Sequence, residues 1–163
     1  GSNLSDYTSN YTKDPTYTAR VEITPQLGEV GLMFGGSFAA VKLGGASDTL
    51  NTNMYGGFFG FGYDEFSLLA EYDMSNDLLS PDVKSSMIML EAAYGVLTGL
   101  DAVVRYDRID YNADTDKDEI SRLIFGFEFH PYSFIEIRPQ YRLVMEDPSV
   151  HNDSFVLQFH FWY

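Results

Sequence analysis

The chain has 163 residues, of which 45% are hydrophobic, and its net charge is −14. This length and composition fit one domain with a substantial apolar surface. The 10 Lys and Arg residues are outnumbered by 24 Asp and Glu residues, which excludes a nucleic-acid-binding protein because that function needs cations facing phosphates. No stretch approaches the roughly 18 to 20 uninterrupted apolar residues of a membrane helix, so a membrane protein with this sequence has to be a barrel of strands.

The N-terminal segment is polar, and Gly1-Ser2 is typical of a cloning scar. We assign residues 1–15 to this remnant and the polar stretch after it. Residues 16–163 are predicted to form a single domain. The chain has no cysteine, which is compatible with an oxidising compartment without defining one.

Four segments in the first half of the chain alternate between apolar and polar residues, as strands with one buried face do. They span residues 16–24, 30–42, 54–63 and 65–74. The glycines of residues 54–63 would weaken a helix severely, but they are compatible with a strand beside a crowded barrel interior. The pattern therefore predicts four strands before residue 75.

The second half of the chain continues the alternation. Its segments span residues 85–96, 100–109, 120–130, 134–146 and 154–163. By composition, the first of these also fits an amphipathic helix. In the second segment the alternation slips after Tyr106, which predicts that Arg108 lies either in a bulge or at a membrane interface.

The last segment is the most regular, because an aromatic or aliphatic residue occupies every second position from residue 155 to the final residue. This row consists of Phe155, Leu157, Phe159, Phe161 and Tyr163. It resembles the C-terminal signature of Gram-negative outer-membrane β-barrel proteins. The resemblance implies that this segment is the closing strand of a barrel and an address for the outer-membrane assembly machinery.

The connections alternate in length, as they do in outer-membrane barrels, where the short turns are periplasmic. Short links are predicted near residues 25–29, 64–65, 97–99 and 131–133, and longer polar ones near 44–53, 75–84, 110–119 and 147–153. Strands of ten residues tilted by about 40° span about 25 Å, the height of the apolar band. The predicted fold is thus all-β, an antiparallel up-and-down transmembrane β-barrel of 8–10 strands formed by residues 16–163.

Charged residues are sorted between the two faces of these strands. All six arginines lie in predicted strands, and all but Arg108 fall on the polar face. An Arg or Lys facing lipid at mid-depth costs about 2–4 kcal/mol, which gives this sorting a physical cause. The residues predicted to line the lumen are Arg20, Glu22, Glu71, Asp73, Glu91, Arg105, Asp107, Arg122, Glu128, Glu136, Arg138 and Arg142.

The strand number is left open by the sequence. The nine alternating segments conflict with the even strand numbers of bacterial single-chain barrels. Either residues 3–13, which are polar, supply a tenth strand, or one segment is not a strand and the number is eight, or the chain is the C-terminal part of a larger barrel. In an eight-stranded barrel the charged side chains would plug the lumen, whereas in a larger barrel they would line a pore.

Three further patterns are candidate sites with plainer interpretations. Asp114, Asp116 and Asp118 have the spacing of a calcium loop, but Glu119 replaces the required glycine, and a solvated extracellular loop is the better interpretation. His151, with Asp147 and Asp153 nearby in a predicted outer loop, could form an acid–histidine pair that activates water at the rim of the barrel. Such loops are also commonly polar for solubility alone. His130 and Ser133 lack the H-x-S spacing of lipid A deacylases. We therefore predict no catalytic residue, no metal and no cofactor.

The hypothesis that follows is a non-enzymatic protein of the bacterial outer membrane, porin-like or structural, with a charged Arg/Glu-lined interior. Its expected partners are outer-membrane lipid, lipopolysaccharide and the assembly machinery, with no nucleic acid. The alternatives are an outer-membrane hydrolase with an active site at the rim and a soluble β-barrel or sandwich that binds an apolar ligand. The sequence defines neither a solute nor an oligomeric state.

Overall fold

The computed structural model describes residues 15–44, 49–78 and 80–162. Across these ranges, no helix is long and apolar enough to cross a membrane. The described residues form ten antiparallel strands in a single sheet. The strands are β1 Tyr17–Ile23, β2 Gln26–Leu27, β3 Val30–Gly44, β4 Thr49–Tyr63, β5 Phe66–Asn76, β6 Lys84–Leu97, β7 Leu100–Asp110, β8 Ile120–Tyr132, β9 Ile135–Glu146 and β10 Ser154–Phe161.

The sheet is an up-and-down meander in which the strands from β3 to β10 each pair with the next one along the chain. β1 and β2 both pair with β3 in the same register, Ile23 opposite Phe34 and Gln26 opposite Gly31. The break between them falls at Pro25, which has no N–H to donate to the ladder, although its carbonyl accepts a hydrogen bond from Leu32 N at 3.0 Å. The ten strands therefore occupy nine positions in the sheet.

The sheet is not closed, since β1 and β10 are its two edges and do not pair with each other in the described part of the chain. Because nine antiparallel positions run from one edge to the other, β1 and β10 run in the same direction. A direct pairing between them would be parallel, whereas a strand inserted between them would pair antiparallel with both. Residues 3–13, the segment predicted as a possible tenth strand, lie outside the described residues.

The nine segments predicted from alternation all contain strands, including residues 85–96, which form most of β6 rather than a helix. The four short connections are two-residue turns at residues 28–29, 64–65, 98–99 and 133–134. Longer connections lie at the opposite end, at residues 77–83, 111–119 and 147–153. We call the two ends of the sheet the short-turn end and the long-loop end.

Two predicted connections are wrong. The first, near residues 44–53, is largely strand, because the β3–β4 ladder extends to a Gly44–Thr49 pair and only residues 45–48, outside those described, connect the two strands. The polar sequence there suggested a loop, yet buried Thr52 lies in β4 and its hydroxyl donates to the Asp77 carbonyl at 2.8 Å. The second is the link at residues 131–133, since β8 continues through a register shift as far as Tyr132.

The register separates two faces. The outer face carries cross-strand rows of apolar residues, of which Val104, Phe125, Tyr141 and Phe155 on β7 to β10 are one example. The inner face carries the intervening residues, and the four buried hydrophobic side chains of the described residues, Phe58, Met89, Val103 and Ile124, all lie on it. Toward the long-loop end, a cavity of about 510 Å³ is bordered by residues from six strands, β1 and β3 to β7.

Arg108 lies on the outer face in a regular ladder, between Ile88 and Ser121. A bulge, one of its two predicted explanations, is therefore wrong. The guanidinium lies near the long-loop end and is 3.8 Å from carboxylate oxygens of both Asp110 and Glu119. These acids supply the partners that an arginine on an apolar face requires.

Candidate functional site

The twelve residues predicted to line a lumen all lie on the inner face. Strand pairing puts Asp107 and Arg122 opposite each other in one row, and Glu91 and Arg105 opposite each other in the next row toward the short-turn end. The other eight occupy inner positions of β1, β5, β8 and β9. That this face encloses a lumen stays a prediction, because the sheet is open.

Asp107 is the centre of one charged cluster. Its carboxylate accepts a hydrogen bond from Arg105 Nε at 2.6 Å and another from an Arg122 terminal nitrogen at 2.7 Å. Arg105 also lies 3.7 Å from Glu91. The Asp107 side chain is only 15% exposed, so this one carboxylate is well shielded and binds two arginines from neighbouring strands. Charge-assisted bonds of this kind are about twice as strong as neutral ones.

Glu136 is the centre of a second cluster at the short-turn end. Its side chain is 3% exposed. One carboxylate oxygen accepts a hydrogen bond from Arg138 Nε at 2.5 Å, and the other pairs with His160 Nδ1 at 2.6 Å. The imidazole of His130 lies 3.7 Å from the same carboxylate, and Arg138 forms a further ion pair with Glu128 at 2.9 Å. The cluster thus joins β8, β9 and β10 through buried charge.

The remaining predicted residues do not join either cluster. Arg20 pairs with Glu22 at 3.2 Å on the exposed edge strand β1 and stacks over the Phe58 ring at 4.1 Å. Arg142 donates to the side-chain oxygen of Gln140 at 3.2 Å rather than to an acid. Within the described residues, no ion pair within 4.0 Å involves Glu71 or Asp73. The predicted network is therefore two clusters and one isolated pair.

Sequence reasoning missed two features of the short-turn end, the presence of Asp101 beside Glu128 and the pairing of both histidines with Glu136. Asp101 lies opposite Glu128 in the β7–β8 ladder, and ligand atoms of Asp101, Glu128 and His130 all lie within 4.8 Å of one another. His130 has the same parity as Glu128, which was a usable signal. The pairing of His160 with Glu136 depends on the β9–β10 register, which alternation alone does not fix.

The candidate sites predicted in the loops are not assembled in the described residues. Asp147 pairs with Lys117 at 3.1 Å, and Asp153 accepts a hydrogen bond from Val144 N at 3.0 Å, so neither aspartate partners His151. Asp114, Asp116 and Asp118 do not converge. Their loop is instead held by Asn112, whose side chain donates to the Thr115 hydroxyl at 2.8 Å.

Four of the five residues predicted as an assembly signal lie together on the outer face of β10. The four that are described, Phe155, Leu157, Phe159 and Phe161, are exposed, and Phe155 retains 67% of its surface. Tyr163 lies outside the described residues. That these residues act as an assembly signal stays a prediction.

Comparison with protein-family models, with curated proteins and with solved structures gives no match.

Proposed function

We propose that this protein is a β-barrel protein of the bacterial outer membrane, porin-like or structural, whose inner face lines a charged lumen. The observation that carries the proposal is the division of the sheet into two unlike faces. Aromatic and aliphatic residues cover the outer face of nearly every strand and are left exposed, while paired charges and the buried side chains lie on the inner face.

Lipid explains the outer face better than water does. A soluble monomer rarely exposes a contiguous apolar patch larger than a few hundred Å², yet here exposed aromatics extend from Tyr17 on β1 to Phe161 on β10. An outer-membrane barrel requires such a surface, an apolar band with aromatic residues at its two interfaces. Tyr132, Phe134 and Trp162, all exposed at the short-turn end, fit one of these interfaces.

The inner face supports two roles for a closed barrel. Whereas β6 to β10 carry the charged clusters, the inner positions of β3 and β4 include several glycines, among them Gly31, Gly35, Gly56, Gly60 and Gly62. Small residues on that wall leave room in the lumen, whereas the salt-bridged wall narrows it. If water passes between the two walls, the lumen is a narrow charged pore. If it does not, the charged side chains fill the lumen and have a structural role.

Reconstitution tests the proposal. The purified chain is expected to be monodisperse only in detergent or lipid, and to float with phospholipid vesicles. A monodisperse monomer in plain buffer would contradict the membrane assignment. In planar bilayers, stepwise conductance whose ion preference changes in Arg122→Ala identifies a pore, and silent bilayers with the protein folded in them identify the structural role.

A second candidate, a soluble β-barrel that binds an apolar ligand, is favoured by the cavity of about 510 Å³ on the inner face. Met54, Met87 and Ile109 supply part of its lining. Under this hypothesis the protein in plain buffer binds an apolar fluorescent probe, and Met54→Trp, which fills the cavity, abolishes binding. Failure of the wild-type protein to bind the probe in plain buffer would exclude this candidate.

A further inference from the structure

We propose that Asp101, Glu128 and His130 bind a divalent transition-metal ion, with zinc the best match, at the short-turn end of the inner face. The three residues come from β7 and β8, and their ligand atoms lie within 4.8 Å of one another. This inference goes beyond the proposed barrel function. It depends only on two neighbouring strands and holds whether or not the sheet closes.

The ligand set selects the metal. Imidazole nitrogen suits zinc, copper, iron and nickel, whereas calcium and magnesium prefer oxygen ligands alone. Zinc accepts both imidazole nitrogen and carboxylate oxygen, and three protein ligands leave a fourth position for water. Zinc–ligand distances of about 2.0–2.2 Å place ligand atoms roughly 3.5 Å apart, so side-chain rotations that move the ligand atoms by about 1 Å bring the three into range.

The backbone beneath the site is fixed. Asp101 and Glu128 are direct partners in the antiparallel ladder, and the backbone N–H of His130 donates to the carbonyl of Gly99 at 2.7 Å. Gly99 has a φ of +78°, a conformation that suits glycine, so the turn holding this carbonyl is specified by the sequence. The ring of Trp162 stacks on His130 with centroids 6.4 Å apart and limits its orientation.

The local charge favours a cation. Glu128 is repelled by Asp101, Glu136 and Glu91, against the attraction of Arg138. At the short-turn end, the carboxylates of Asp101, Glu128 and Glu136 exceed the single guanidinium of Arg138 by two negative charges when both histidines are neutral. A bound divalent ion would neutralise this excess and remove the repulsion.

Charged neighbours lie beside two of the three proposed ligands, Glu128 and His130. Arg138 lies 2.9 Å from one oxygen of Glu128, which orients the carboxylate and leaves its second oxygen free. The nearest carboxylate to His130 Nε2 is Glu136, at 3.7 Å. Metal ligands are usually oriented by neighbouring groups of this kind, and loss of such an outer partner typically changes metal affinity by about 10–100-fold.

Calorimetric titration of the chelator-treated, detergent-solubilised full chain with Zn²⁺ tests the proposal. The expected result is one saturable site per chain and a melting temperature that rises with Zn²⁺ concentration. His130→Ala and Glu128→Gln should each weaken binding by about a hundredfold or more, since losing a ligand costs at least as much as losing its hydrogen-bond partner. His151→Ala, in an exposed loop remote from these residues, is the matched control and should bind as wild type does.

Three results would overturn the site. They are the absence of saturable Zn²⁺ binding by the folded wild-type chain, unchanged affinity in both ligand variants, and a loss of binding in His151→Ala equal to that in His130→Ala. A fourth contrary result is loss of binding in His160→Gln with full binding in His130→Ala, which would assign the metal to the Glu136–His160 pair instead. Circular dichroism of each variant verifies folding, and Asp101→Asn replaces any variant that does not fold.

Discussion

Replacing Phe125 by arginine places a charge at the middle of the proposed apolar band. Phe125 lies on the outer face of β8, five residues from the start of the strand at Ile120. In the proposed barrel this is about 13 Å along the axis at 3.3 Å per residue and a tilt of about 40°. Its cross-strand neighbours are Val104 and Tyr141, which are apolar and exposed like Phe125 itself. No neighbouring acid can therefore compensate for the charge.

The expected cost of Phe125→Arg is about 2–4 kcal/mol in the free energy of unfolding, or roughly 30- to 900-fold in the equilibrium constant. Phe134→Arg is the matched control, because Phe134 is an exposed aromatic residue in the two-residue turn between β8 and β9 and should cost only about 0–1 kcal/mol there. Both values come from denaturant titration of the protein in phospholipid vesicles. Equal costs at the two positions, or a Phe125→Arg cost within about 0.5 kcal/mol of zero, as for a water-exposed surface, would refute the reasoning.

Two further pairs of variants test the inner face by the same titration. Asp107→Asn leaves two half-buried arginines without their shared carboxylate and should cost about 1–3 kcal/mol in the free energy of unfolding. Glu22→Gln, the control, breaks the exposed pair on β1 and should cost about 0–1 kcal/mol. Similar losses for the two variants would contradict a stabilising role for the Asp107 cluster. Gly35→Ala should destabilise the fold because a Cβ there collides with the Phe58 ring and a backbone carbonyl. Gly62→Ala, the control, adds a Cβ that meets nothing within 4 Å and should be neutral or slightly stabilising. An equal change in stability at both glycines would show that the packing of Phe58 does not constrain β3.

Alternation predicted the strands well because a period of two is a local property of the sequence. The outer face of β10 and the inward parity of Arg105, Asp107 and Arg122 follow from it directly. Turn positions were also readable where glycine marks them, as at Gly28 and Gly99, which both adopt positive φ.

The sequence was less informative wherever pairing between distant residues decides the structure. Thr52 was predicted to lie in a polar loop because its local sequence is polar. Its hydrogen bond to the Asp77 carbonyl joins residues that are distant in the chain, and alternation does not reveal such a contact. The cluster around Glu136 depends on the register of β9 with β10, and a shift of one residue would have moved His160 to the outer face. Strand count, and with it closure, is set by the whole sheet rather than by any one segment.

The most direct test of the central claim, that one face of this sheet contacts lipid, is a spin-label scan of β10 in phospholipid vesicles. The chain has no cysteine, so single cysteines placed from Phe155 to Phe161 report only their own positions. We expect a period of two, with the labels at Phe155, Leu157, Phe159 and Phe161 reached by oxygen dissolved in the lipid and those at Val156, Gln158 and His160 shielded from it. Oxygen accessibility without alternation, or outer positions reached as readily by a water-soluble relaxation reagent, would contradict the claim.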